Sequence, residues 1–174
     1  GTFYGCTMLD SVTFQGTSVT SIGVSAFYGC TMLASITIPT SVTSIGISAF
    51  EGCTGLATVS FLGNLPTTIG TIAFSGIAGS ATLYYLQDKT GFTSNIGGNT
   101  FILFAIIGTQ TVKLITGATS GDVTIPASVL INDISYNVDS IGNSAFQGSR
   151  ITSCSIVANI TSIGTSVFQD CSSL

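Results

Sequence analysis

The side chains that carry most enzymatic chemistry are sparse in this 174-residue chain, which has no His, seven Asp or Glu, three Lys or Arg, and five Cys. Without imidazole there is neither a Ser–His nor a Cys–His nucleophile pair, and no imidazole base. The carboxylates Asp10, Glu51, Asp88, Asp122, Asp133, Asp139 and Asp170 are scattered along the chain. A glycosidase-type pair needs two of them to meet in space. Asp133 and Asp139 are the nearest candidates, because an inserted segment around them can fold one toward the other. A solvated surface role is the expectation for all seven.

Cys6, Cys30, Cys53 and Cys171 each follow a Phe by three residues, so they share one structural position. Disulfides and a metal site are the functional alternatives. Side chains in one column run parallel rather than facing each other, which is awkward for a disulfide. With no His and no C-x-x-C pair, zinc has little support. All five Cys are therefore expected to be reduced, buried and structural, with Cys154 a small core residue. Gly97-Gly98-Asn99 reads as a turn and not a phosphate loop, since no strand and helix flank it in the required order. No catalytic, cofactor-binding or metal-binding residue is assigned, and a non-enzyme is expected.

Composition narrows the partners. Three cations against seven anions cannot supply the phosphate contacts of a nucleic-acid binder or a polybasic membrane patch. The longest apolar run, 101–107 (FILFAII), is far short of the roughly 20 residues that span a bilayer. Hydrophobic residues nevertheless make up 45% of the chain and charged ones only 6%, with 24 Ser and 26 Thr supplying the polarity. The hydropathy must therefore serve a core. No signal peptide is recognisable, and the opening GTFYGC predicts a processed or incomplete chain.

The elements that arrange these residues are repeats. FYGCTML at 3–9 returns at 27–33, as FEGCTGL at 50–56 and as FQDCSSL at 168–174. The Phe anchors are 24, 23 and 24 apart through Phe74, and 22 apart from Phe146 to Phe168. A second block, VTSIG, stands at 19–23 and 42–46, with variants at 67–70, 138–142 and 160–164. Between the blocks lie alternating stretches at 9–14, 33–39, 56–61 and 151–156. Period-two alternation rich in Ile, Val and Thr predicts one short half-buried strand per coil of about 23 residues. Because a coil buries its face only against neighbours, the expected architecture is a β-rich solenoid with parallel strands and few helical turns. Gly23, Gly46, Gly70, Gly142 and Gly164 are expected to supply positive φ at the turn after Ile.

From Phe74 to Phe146 the pattern changes. Another strand is expected at 81–86, a loop or solenoid end over 87–100, and a β-hairpin from 101–107 and 111–116. The strand block resumes at 122–129, followed by an extra segment at 130–137.

The string L-x-x-I-x-I-P-x-S-V-T-S-I-G-x-S-A-F-x-G-C-T at 33–54 resembles the BspA-type (Treponema pallidum type) leucine-rich repeat. The resemblance covers 1–86 and 121–174, and 81–101 resembles the LYY…GFT stretch that closes such arrays. The break in the pattern divides the chain into a leucine-rich-repeat stack over 1–95, a linker, β-hairpin cap and opening strand over 96–137, and a second, truncated stack over 138–174. The resemblance implies a secreted or cell-surface protein, or one on a virion, that binds or adheres to proteins of a host or neighbouring cell.

The row Thr13, Thr37, Ser60, Tyr84, Thr124 and Ser155 faces outward on the expected strands and is the candidate interaction face, beside Gln15, Pro39, Leu62, Leu86, Pro126 and Val157. Tyr84, Tyr85 and Phe92 form the best aromatic cluster, with Tyr85 pointing inward. The alternative is a structural subunit of a filament, surface layer or virion assembled from copies of itself, since the chain begins and stops in mid-repeat. Asn159-Ile160-Thr161 matches a glycosylation sequon.

Overall fold

A computed structural model describes residues 1–16, 18–79, 81–86, 88–93, 95–108, 111–116, 120–131 and 134–174. The chain divides into two compact units, Gly1–Phe101 and Ile102–Leu174.

The first unit is a β-solenoid. Its strands are β1 (Ser21–Ile22), β2 (Ser35–Ile38), β3 (Ser44–Ile45), β4 (Thr58–Phe61), β5 (Thr68–Ile69), β6 (Thr82–Leu86), β7 (Asn95–Ile96) and β8 (Asn99–Thr100). The alternating blocks give a parallel sheet, β2–β4–β6, with Ile36, Val59 and Leu83 in one inward column. The S-I pairs of the second block form another parallel sheet, β1–β3–β5, that alternation did not announce. Residues 9–14, expected as a strand, form none; Ala34 N donates to Asp10 O at 3.4 Å. That contact is long for a hydrogen bond, so the segment follows the neighbouring coil without forming a ladder with it.

The back of each coil is stitched as regularly as the front. The N–H groups of Ser25, Phe27 and Gly29 donate to the carbonyls of Ile47, Ala49 and Glu51 in the next coil, at 2.8–3.0 Å. Alternate N–H groups point the same way because Ser25 and Gly29 adopt positive φ, at 52° and 68°. Ser48, Ser144 and Ser166 repeat the Ser25 conformation. Positive φ was expected at the glycine after Ile, and the structure places it elsewhere. Gly46 and Gly70 are glycine for a different reason: a Cβ would lie 2.5 Å from Val24 N or 2.4 Å from Ile47 Cα. Close approach of neighbouring backbones excludes a side chain there.

A ladder of rings fills the core. Phe3, Phe27, Phe50 and Phe74 stack at 5.2, 5.2 and 5.1 Å, with interplanar angles under 10°. The antiparallel pair β7–β8 closes this ladder, as Phe74 N donates to Gly97 O at 2.8 Å where earlier coils use an Ala carbonyl. Phe101 then meets Phe74 edge-on at 5.6 Å. The Gly97-Gly98 turn expected from sequence is this hairpin's turn, and a Cβ at Gly97 would strike the Phe74 ring at 2.9 Å.

The second unit contains β9 (Ile102–Ile106), β10 (Thr111–Thr116), β11 (Ser120–Ile125), β12 (Ser128–Ile131), β13 (Ile134–Ile141), β14 (Arg150–Ile156) and β15 (Ser162–Ile163). The expected hairpin is present as the antiparallel pair β9–β10. The extra segment supplies a second antiparallel pair, β12–β13. β13 also runs parallel to β10 and β15, which returns the chain to solenoid register. β11 pairs with β14 in parallel, and Phe146 stacks on Phe168 at 5.4 Å. Among the described residues there is no helix, only turns on the far side of each coil.

Candidate interaction face

Three of the six expected face residues stand in one row of the first unit. The register of β2, β4 and β6 makes Thr37, Ser60 and Tyr84 direct partners across three coils. The row is not the open surface that alternation predicts. Thr37 is half-buried, and Ser60 and Tyr84 are each only 4% exposed. Ser60 lies between Thr37 and Tyr84 in the register. Burial pushes the Tyr84 phenol up to about 12, partly offset by a hydrogen bond with Thr82. Thr13 is exposed but sits in 9–14, outside any strand, so it does not join the ladder.

The expected aromatic cluster is also rearranged. Tyr85 does point inward and stacks on Phe92 at 4.4 Å, while Phe92 meets Phe61 edge-on at 5.4 Å. Burial pushes the Tyr85 phenol up. Tyr84 lies on the other face of the same strand, because successive side chains alternate. The trio is therefore Phe61, Tyr85 and Phe92, with Phe61 buried and the other two rings half-buried.

The second unit keeps its row open. Thr124 and Ser155 are register partners on β11 and β14, and both are exposed. Beside them the pairing shifts: Gly121 partners Ile151 but Asp122 partners Ser153, leaving Thr152 as the extra residue of a bulge. The bulge brings both hydroxyls onto one carboxylate oxygen, as Thr152 Oγ1 and Ser153 Oγ each donate to Asp122 Oδ1 at 2.7 Å. These bonds, Ser153 first, hold the Asp122 carboxyl below the ordinary carboxylate value. An ionised carboxylate fixed beside exposed hydroxyls can hydrogen-bond an approaching polar surface. Sequence reasoning listed Asp122 only among scattered carboxylates. The one sequence signal was the short 22-residue interval from Phe146 to Phe168, which marks an altered coil but not a bulge.

Of the other carboxylates, Asp139 Oδ1 accepts from Thr161 Oγ1 at 3.0 Å, and Asp133, its candidate partner, lies outside the described residues. Among the described residues no three His, Cys, Asp or Glu converge as a metal-binding group.

Many hydroxyls are spent on holding coils together. Thr43 Oγ1 donates to Thr20 O at 3.3 Å, Thr67 Oγ1 to Thr43 O at 3.2 Å, and Ser41 Oγ to Val19 O at 2.7 Å. Thr161 Oγ1 repeats the motif onto Asp139 O. The thiols do the same. Cys30, Cys53 and Cys171 donate from Sγ to the carbonyls of Phe3, Phe27 and Phe146 at 3.2, 3.0 and 3.0 Å. All five Cys are free, but burial is not uniform as expected: Cys6 is exposed, and Cys154 and Cys171 are half-buried. Cys154 sits on a sheet of two strands only, too narrow to enclose it.

The family model described as the BspA type leucine-rich repeat region matches residues 1–102 and 127–174, in six copies. No curated protein and no solved structure matches the chain. No helix among the described residues is long and apolar enough to cross a membrane.

Proposed function

Because this chain belongs to the BspA type leucine-rich repeat family, we propose that it is a non-catalytic module that binds or adheres to proteins at or outside a cell surface. The observation that carries this reading is the open row on β11 and β14, where Thr124 and Ser155 stand exposed beside the bulge that fixes Asp122. Solenoids present such rows on a backbone that does not deform on contact. Its partner chemistry is a polar protein surface offering donors to Asp122 and mixed groups to the hydroxyls.

A second reading, as a structural subunit of a filament, surface layer or virion, is favoured by one observation: Val24 and Ile47, at the same position of successive coils, are 61% and 53% exposed. Such side chains gain from packing against another chain.

The two readings separate in one experiment. The full chain is screened by biolayer interferometry against a panel of purified secreted and cell-surface proteins, alongside the double variant Thr124→Lys/Ser155→Lys. Saturable binding that the double variant loses while keeping its circular dichroism supports the face. Binding that the variant retains, or concentration-dependent self-assembly with no panel protein bound, rejects it.

A further inference from the structure

β11 (Ser120–Ile125) belongs to a sheet of two strands, and among the described residues no strand lies on its side away from β14. That open edge falls in the middle of the chain and has a cause there. The strands before it, β9 and β10, pair with each other antiparallel, and β10 also pairs with β13. Neither continues the sheet beside β11.

One bond shows which main-chain groups the edge offers. Val157 N donates to Ile125 O at 3.0 Å, so Ile125 turns its main-chain groups toward β14. The N–H and C=O of a strand residue point the same way, and successive residues point opposite ways. Val123 therefore also faces β14, while Asp122 and Thr124 each turn an N–H and a C=O to the open side. Both residues are exposed, and a Cβ at Gly121 would meet nothing within 4 Å. Pro126, next in the same alternation, has no N–H to offer and ends the edge. An unpaired edge of this kind is a template for another strand.

The side chains indicate which strand. Asp122 Oδ1 takes the hydroxyls of Thr152 and Ser153, and among the described residues no hydrogen bond reaches Oδ2. The ion pair among the described residues is Lys89 with Asp88, so no cation of this chain is bound to Asp122. A residue directly opposite on an added strand has its Cβ about 4.5–5.5 Å away, which brings a Lys or Arg within reach of that oxygen. A second copy is disfavoured as the occupant, because it brings a net charge of −4 and its own Asp122 to the same edge.

We propose that β11 accepts an extended segment of a partner protein as an added strand, with Asp122 selecting a Lys or Arg on that segment. This mode rests on the reading of the Thr124 row as the recognition surface and specifies how the partner lies on it. Main-chain bonds to Asp122 and Thr124 supply affinity, and the carboxylate supplies selection.

The test is an amide chemical-shift titration of the isotope-labelled full chain with three capped peptides. The first alternates Thr and Val around a central Lys, the second carries Glu in place of the Lys, and the third is the Lys peptide with its central amides N-methylated. The Lys peptide should give saturable shifts at the Asp122 and Thr124 amides and bind about 5-fold more tightly than the Glu peptide, a preference that shrinks as salt rises. The N-methylated peptide should not bind. Thr124→Pro removes an outward N–H without touching a bond to β14, and should weaken binding about 10-fold with the circular dichroism kept. Three results overturn the added strand: no shifts at these amides, N-methylated and parent peptides binding alike, or the Glu peptide matching the Lys peptide. Failure of the row itself reads differently, as panel-protein binding that survives Thr124→Lys/Ser155→Lys. A panel protein that the double variant loses, but that a saturating Lys peptide does not displace, keeps the row and overturns the added strand.

Discussion

Cys53 Sγ donates to the Phe27 carbonyl oxygen at 3.0 Å, joining one coil to the next through a side chain that is fully buried. The same oxygen accepts Cys30 N at 3.2 Å, so both of its lone pairs are used. One coil further on, Ile77 takes the position of the Cys and is also buried. The column thus tolerates an apolar side chain, and most of the thiol's contribution is packing. Cys53→Ala should cost about 1–2 kcal/mol, a cavity of one sulfur plus a weak bond. Cys53→Val should recover most of it. Urea denaturation followed by circular dichroism reads both.

Phe50 lies between Phe27 at 5.2 Å and Phe74 at 5.1 Å, fully buried. Truncation removes two stacked contacts and leaves a hole that stiff neighbouring coils cannot fill. Phe50→Ala should destabilise the first unit by about 3–5 kcal/mol, enough to unfold a marginal stack. Phe168→Ala, whose ring stacks on Phe146 and is only half-buried, should cost less. Comparing the two thermal midpoints checks the claim.

Gly46 and Gly23 hold the same repeat position but differ in what a methyl would meet. At Gly46 it would lie 2.5 Å from Val24 N; at Gly23 nothing comes within 4 Å. Neither has positive φ. Gly46→Ala should therefore separate two coils and destabilise clearly, while Gly23→Ala should be neutral or stabilise by about 0.4–1 kcal/mol through the unfolded chain. Denaturant midpoints of the two variants should move in opposite directions or differ by more than their error.

Alkaline pH should weaken the fold. Burial pushes the Cys53 thiol from its ordinary 9.0 to about 11 and the Tyr84 phenol from 10.0 to about 12. Above these ordinary values the unfolded chain loses protons that the folded chain retains, so unfolding gains with rising pH. The full stability is present below pH 9.0 and declines as pH climbs toward the folded values. The urea midpoint should be lower at about pH 10.5 than at about pH 8, and the difference should shrink in Cys53→Val.

The coil, its Phe anchor and the β9–β10 hairpin were legible because period, alternation and turn residues are local signals. What escaped depended on the neighbouring coil. Gly46 is glycine because Val24 crowds it, which no single coil reveals. Ser25 and Ser48 adopt positive φ to aim N–H groups at the next coil, a demand invisible in residue type alone. Alternation put Ser60 and Tyr84 on the outward face, yet both are buried, because alternation assigns a face and not its coverage. Asp122 became a fixed acceptor only through a bulge on β14.

The exposed row of the second unit as the recognition surface is the central claim, and hydroxyl-radical footprinting tests it most directly. The probe is whichever panel protein binds in the interferometry screen. Val157, 61% exposed two residues beyond Ser155, reports on the row, while Met8 and Met32, 79% and 51% exposed, report on the coil turns. The account predicts that the bound partner suppresses oxidation at Val157 and leaves Met8 and Met32 unchanged. Suppression at Met8 and Met32 with Val157 oxidised as in the free chain would contradict it.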